Sequence, residues 1–251
     1  MKSVDLLIPC LNEADGAAAL VSALNSTIQA LQSQAGPAQT RHDQGLQEPA
    51  ARNQGLHDAS SAAQASPAST TIAAAGEEIR YRLLIVDDGS SDGTSQRFEE
   101  LLASPGPLSG GAVISLSRNF GKEIALTAGL DHARGTEAVV VIDADLQDPP
   151  EVIPELIAAW RQGFDIAYAQ RNTRAGETWL KKATAAAFYR VMQRISGKVH
   201  LPPDTGDFRL MSRRALDALL KLREQHRFMK GLFAWIGFPS IAVRYDRAPR
   251  A

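Results

Sequence analysis

Three carboxylates crowd the end of an apolar run in Val141-Ile142-Asp143-Ala144-Asp145-Leu146-Gln147-Asp148, and Pro149 and Pro150 follow at once. Residues 138–142 read as a buried strand that the prolines forbid to continue. An open α/β sheet binds its ligand outside the carboxyl ends of such strands. In an extended chain Asp143 and Asp145 project to the same face. Two hard oxygen donors that close suit Mg²⁺ or Mn²⁺, with substrate phosphates completing the coordination. An ordinary strand-to-helix turn would need one capping acid, not three.

A second acidic strand end lies upstream, in Leu83-Leu84-Ile85-Val86-Asp87-Asp88-Gly89-Ser90-Ser91-Asp92-Gly93-Thr94. A buried carboxylate there can accept hydrogen bonds from the N–H groups of a nucleobase. The glycine turn and the helix start behind it could instead hold phosphate. The neighbouring acids favour the base. Read alone, the segment could be a capped turn, because Asp92 and Thr94 are good N-cap types.

The elements that position these acids follow from periodicity. Residues 4–8 form a strand that runs into Pro9-Cys10-Leu11-Asn12-Glu13, and Leu20, Leu24, Ile28 and Leu31 then repeat at helical spacing. Strands are expected at 81–86, 112–116, 138–142 and 165–169, and helices at 95–103, 123–133 and 150–162. Strands alternating with helices imply right-handed βαβ units and a mostly parallel sheet flanked by helices. Beyond Arg171 a long helix is expected over 178–196, then a loop carrying Asp204-Thr205-Gly206-Asp207-Phe208-Arg209, then a helix from about Arg213. Residues 32–76 are rich in Ala, Gln, Ser, Pro and Gly, lack aromatics and show no period. They read as a disordered low-complexity insertion in a single domain over 1–251.

The 251 residues are 44% hydrophobic and 22% charged, as in soluble globular chains. No run approaches the roughly 18 apolar residues of a membrane span, and the N-terminus enters a strand without the pattern of a signal peptide. The single cysteine, Cys10, fits a reducing compartment. The net charge of −1 hides an asymmetry: residues 1–170 hold 10 Lys+Arg against 22 Asp+Glu, and residues 171–251 hold 17 against 6. A basic C-terminal third suits phosphate groups or an anionic membrane surface. Nucleic acid is disfavoured, because aromatic residues are not interleaved with the basic ones as a stacking platform requires.

With these motifs in place the chain resembles family 2 glycosyltransferases of the GT-A (Rossmann-like) fold. The likeness rests on Ile8-Pro9 with Asn12-Glu13, on Val86 to Thr94, and on Asp143-Ala144-Asp145. It narrows to the polyprenyl-phosphate branch, similar to dolichol-phosphate-mannose synthases and bactoprenol glucosyltransferases. That step rests on Ser117-Arg118-Asn119-Phe120-Gly121-Lys122-Glu123, on Asp145 to Glu151, on Gly206 to Met211, and on Arg227 to Leu232 with Trp235-Ile236-Gly237-Phe238. The Gln-x-x-Arg-Trp string of processive synthases is absent from the sequence.

The resemblance implies inverting transfer of one sugar from a nucleotide sugar to a polyprenyl phosphate such as undecaprenyl phosphate. A UDP donor is favoured by likeness to the bacterial branch. Pro9, Asn12, Glu13, Asp87, Asp88, Ser117, Arg118, Lys122 and Asp143 would hold the donor. Asp143, Asp145 and Gln147 would ligate Mg²⁺ or Mn²⁺. Asp207 would orient or deprotonate the acceptor, and Arg171 and Arg209 would hold its phosphate through their planar forks. Residues 172–251 would face the acceptor and the membrane, at the cytoplasmic side of a bacterial inner membrane. Relatives of this branch continue past the region of Asp246 into membrane spans, so this chain is expected to bind peripherally or to be a truncated form. A homo-oligomer is compatible with the sequence. The alternatives are a glycosyltransferase with a hydroxyl acceptor and a non-catalytic nucleotide-binding remnant.

Overall fold

The computed structural model describes residues 2–34, 78–104, 106–172, 205–224 and 227–246. The expected insertion lies outside the described residues from position 35 on, as does the helix expected over 178–196.

Among the described residues seven strands form one sheet in the order β3-β2-β1-β4-β6-β5-β7. In chain order they are β1 (Lys2–Cys10), β2 (Ile79–Asp87), β3 (Gly111–Ser115), β4 (Ala138–Val141), β5 (Ile166–Arg171), β6 (Thr205–Ser212) and β7 (Ser240–Tyr245). β1 pairs in parallel with both β2 and β4, β2 with β3, and β5 with β7. Among the described strands only β6 runs the other way, antiparallel to both β4 and β5. The sheet is thus mostly parallel, as the alternation of elements requires.

β1 is buried from Val4 to Cys10, and such a strand reads as continuous apolar sequence because both its faces are covered. The pleat divides the core. Leu6, Ile8, Leu83, Ile85 and Val140 face one cluster with Phe98, while Leu7, Leu84, Val86, Val139 and Val141 face the other. Helices α1 (Ala17–Gln34), α2 (Thr94–Leu102) and α4 (Ile153–Arg161) supply the first cluster. Helices α3 (Lys122–His132), α5 (Arg213–Leu219) and α6 (Met229–Trp235) supply the second. Where α3 crosses the sheet it presents Gly129, at which an added Cβ would stand 2.2 Å from Leu7 Cδ1 and 2.8 Å from Val86 Cγ2. The absence of a side chain there lets α3 lie close against β1 and β2.

Two expectations need correction. Thr205 to Arg209 is strand β6, not a loop. Its pattern alternates: Phe208 and Leu210 face one cluster and Met211 the other, and neighbours on both sides satisfy its backbone. Glycine and the charged residues near its start mask that alternation in the sequence. The acids Asp143 and Asp145 do not lie on an extended strand either. β4 ends at Val141 and the chain turns, with Leu146 at φ 54°. The helix expected from Pro150 begins as a single 3₁₀ turn, Pro150–Val152, before α4.

Candidate active site at the carboxyl ends of the strands

The carboxyl ends of β1, β2 and β4 open onto a cleft of about 290 Å³. Of the residues singled out from sequence, it brings together Pro9, Glu13, Asp88, Lys122, Asp143 and Asp145. Cys10, Leu11, Asn119, Gly121, Ala125 and Ala144 complete the wall and were not foreseen. Asn119 and Gly121 had a signal, since both lie within the Ser117–Lys122 string.

Asp88 shapes the cleft from below. Its two oxygens accept hydrogen bonds from Phe120 N and Gly121 N, each at 2.8 Å. The loop after β3 is therefore fastened to the end of β2, and Gly89 (φ 75°) packs so tightly on it that a Cβ would stand 2.4 Å from the Arg118 carbonyl carbon. Asp87 is 3% exposed and outside the cleft wall. It accepts from Ser90 N at 2.9 Å, from Ser90 Oγ, and from Ser95 Oγ, so its carboxylate organises its own turn. Asn12 (φ 55°) joins the β1 and β2 loops by accepting from Ser91 N at 3.0 Å. Asp92 accepts from Thr94 N at 3.0 Å, but the residue at the N-cap of α2 is Gly93.

Lys122, the first residue of α3, gives the site its cation. Its ammonium lies 2.7 Å from Asp143 Oδ1, 2.9 Å from Asp143 Oδ2 and 2.7 Å from Asp207 Oδ2. Asp207 is far from Asp143 in sequence, and β6 brings it back. The register sets Arg209 opposite Val141, so the antiparallel strand carries Asp207 past the end of β4 toward Asp143. Burial pushes the Asp207 carboxyl up, but Lys122 pulls it below the ordinary carboxylate value. Burial also raises Asp143, and there Lys122 offsets it only in part. Lys122 itself is held above the usual lysine value by the two acids, against the effect of its own burial.

Asp143 and Asp145 in the cleft wall are hard oxygen donors of the kind that share a divalent ion with a ligand's oxygens. Asp207 Oδ1 is buried without a hydrogen-bond partner, and Asp143 Oδ1 has the nearby ammonium but no directed hydrogen bond. A buried carboxylate oxygen in that state is costly unless a cation meets it. Among the described residues no group of three or more His, Cys, Asp or Glu could hold a metal ion. Asp143 and Asp145 would thus be two protein ligands, with phosphate oxygens needed to complete the shell. Gln147 is 8% exposed and lies outside the cleft wall.

The two arginines expected at the acceptor are otherwise engaged here. Arg209 is 5% exposed, donates to Gly206 O at 2.7 Å, and stacks on Phe233 with its guanidinium carbon 3.8 Å from the ring centroid. Burial lowers its pKa to about 10, so it remains charged at neutral pH. Arg209 braces the start of β6 in this arrangement and does not present its fork to a ligand. Arg171 donates to Tyr245 Oη at 3.0 Å and to Asp148 Oδ1 at 3.3 Å. Tyr245 also donates to Asp148, so the three residues latch β5, β7 and the loop after β4 together. Arg118 is exposed, stacked 4.0 Å over its neighbour Phe120, and Ser117 is exposed beside it.

Comparison with known proteins agrees with this architecture. Residues 68–220 match the family described as Glycosyl transferase family 2. An uncharacterized glycosyltransferase of Synechocystis sp. is 51% identical over 173 residues, covering 69% of this chain and 53% of that one. The bactoprenol glucosyl transferase of Shigella phage SfV is 45% identical over 168 residues, covering 67% and 53%. The chain thus spans about half the length of the curated relatives it matches. Among solved structures, glucosyl-3-phosphoglycerate synthase from Mycobacterium tuberculosis, in complex with Mg²⁺ and UDP, superposes with a TM-score of 0.53 at 18% identity. That match covers 100% of this chain and 72% of the synthase, and it speaks for a shared GT-A fold. With more than half its length matched by the family, the chain belongs to glycosyl transferase family 2.

Proposed function

We propose that the chain transfers one sugar, with inversion, from a nucleotide sugar to a polyprenyl phosphate at the cytoplasmic face of a bacterial membrane. The observation that carries this reading is Asp207, a partly buried acid beside the cleft whose carboxyl Lys122 pulls below the ordinary value. An acid whose pKa lies below the ordinary carboxylate value is a weak base. It suits an acceptor that is already an oxyanion, as a phosphate is at neutral pH, better than a hydroxyl that must lose its proton. The bactoprenol glucosyl transferases among the relatives support the same acceptor class.

In this reading Glu13, Asp88 and the Phe120–Gly121 backbone shape the nucleotide end of the cleft, and Asp143 and Asp145 lie at the diphosphate. Mg²⁺ or Mn²⁺ held by Asp143 and Asp145 would supply positive charge against the leaving diphosphate. The neighbours crystallised with UDP and with Mg²⁺ or Mn²⁺ are in keeping with that chemistry. An ionised carboxylate has no proton to offer a phosphate, so Asp207 would act on the acceptor side through the Lys122 ammonium, which bridges it to Asp143. The surface of α6 offers Phe228 and Trp235, 42% and 64% exposed, for contact with lipid. No helix among the described residues is long and apolar enough to cross a membrane.

The test is a panel of radiolabelled sugar nucleotides offered with detergent-solubilised undecaprenyl phosphate or with soluble saccharides. Label is expected in the lipid extract, dependent on Mg²⁺ or Mn²⁺. Label confined to the saccharides would establish a hydroxyl acceptor. UDP binding without turnover on any acceptor would leave a nucleotide-binding remnant.

A further inference from the structure

Lys122 stands where the donor and acceptor carboxylates meet, and its position is fixed from the nucleotide side. Asp88 holds the amides of Phe120 and Gly121, and Gly121 (φ 96°) turns the chain into α3 so that Lys122 leads the helix. From there the ammonium meets three oxygens: both of Asp143 and one of Asp207. The hydrogen bond to Asp143 goes to Oδ2, and Oδ1 is met at ion-pair distance only. It is the one cationic side chain in the cleft wall among the described residues. Its side chain is 45% exposed, so the stem has room to swing.

We propose that Lys122 is a tethered counter-cation that holds the Asp143–Asp207 pair when no donor is bound and makes binding of the divalent ion depend on the donor diphosphate. The inference rests on the metal reading of Asp143 and Asp145 given above. Without a nucleotide, the ammonium neutralises part of the charge that would attract a divalent ion, and the two cations repel each other at Asp143. When a diphosphate enters, its own negative charge gives the ammonium another partner. Asp143 is then released toward the ion. Lys122 also keeps Asp207 ionised and aligned, so it acts as a positioning residue as well as a donor contact. A lysine that only met the diphosphate, and did not pair with Asp143 in the free protein, would have no such effect on ion affinity.

The experiment titrates Mn²⁺ by electron paramagnetic resonance into wild type, Lys122→Gln, Lys122→Met and Lys122→Arg, each with and without UDP. The two neutral variants should bind Mn²⁺ alone at least about threefold tighter than wild type, because a repelling charge is gone. UDP should raise Mn²⁺ affinity less in them than in wild type, and Lys122→Arg should stay close to wild type. Circular dichroism melting identifies any variant that fails to fold, and either neutral variant suffices. Unchanged or weaker Mn²⁺ binding in a folded neutral variant overturns the proposal while the metal reading stands. Absence of Mn²⁺ binding by wild type, even with UDP, overturns both.

Discussion

A carboxylate exchanged for its amide keeps its volume and loses its charge, which makes Asp145→Asn a clean probe of the cleft. Asp145 lines the wall beside Asp143, so the variant should lose turnover with little change in melting temperature. Transfer at near wild-type rate with Mg²⁺ or Mn²⁺ would remove Asp145 from the metal site. Asp207→Asn should reduce transfer to lipid phosphate more than it reduces UDP affinity, measured by calorimetry beside the transfer assay. If UDP affinity falls in step with turnover, Asp207 belongs to the donor. The same residue carries a pH signature. Its folded carboxyl lies below the ordinary value of 3.8, so its stabilisation is complete above that pH and disappears as the pH falls through the lower folded value. The stability gap between wild type and Asp207→Asn should therefore be flat from neutral pH down to about 5 and close only in strong acid. A gap that closes near neutrality would contradict the Lys122–Asp207 pairing. Arg209→Ala should act first on folding, since it removes a buried guanidinium that binds the Gly206 carbonyl and stacks on Phe233. The expected loss is about 2–4 kcal/mol in denaturant unfolding; a variant as stable as wild type but inactive would restore Arg209 to the acceptor.

At the scale of elements, the strands that end in acids were legible because a buried parallel strand is an unbroken apolar run, and its end is marked where polarity returns. Residues 81–86 and 138–142 announce β2 and β4 in this way. β6 was not legible, since Gly206, Asp207 and Arg209 look like a loop until strands on both sides are supplied. That one misreading also separated Asp207 from Asp143, because the pairing of β6 with β4 is long-range and leaves no local period. For the same reason Lys122 read only as a contact to the donor, although its partners here are carboxylates from two other elements. β7 (Ser240–Tyr245) went unseen as well: it is short, pairs on one side only with β5, and carries Arg244 in its midst. The helix that delivers Lys122 depends on Gly129, where an added Cβ would collide with Leu7 and Val86. Gly129→Val should cost about 1–3 kcal/mol by overpacking and weaken UDP binding by displacing the start of α3. A thermal melt and a calorimetric titration on one sample check both effects; unchanged stability would mean that α3 can lift off the sheet without strain.

For the molecule as a whole, the basic part of the chain also carries Phe228 and Trp235, the latter the most exposed of the large hydrophobic residues among those described, whereas Leu11, Phe120 and Ile124 lie outside it. Residues 171–251 hold the excess of 17 Lys+Arg over 6 Asp+Glu, and α6 lies within them. Met229 and Phe233, four apart, turn inward in one cluster with Leu216 and Leu219, while Phe228, just before the helix, and Trp235, at its end, are exposed. Aromatic side chains beside positive charge are what an interfacial surface offers an anionic bilayer, through apolar burial and through attraction to headgroups. Glu123 ties this helix to the cleft by accepting from Met229 N at 3.2 Å, so a membrane at α6 would lie near the face where the proposed lipid phosphate would arrive. The double variant Phe228→Ser, Trp235→Ser should therefore partition onto anionic vesicles roughly tenfold less than wild type. Its melting temperature should hardly change, because both side chains are already exposed. Lys181→Glu with Lys182→Glu, outside the described residues, should weaken the same binding and make it less sensitive to salt. Vesicle flotation at two ionic strengths separates the contributions: the apolar variant shifts binding equally at both, and the charge variant shifts it mainly at low salt. Vesicle binding that survives both changes would place the lipid-facing surface elsewhere on the molecule.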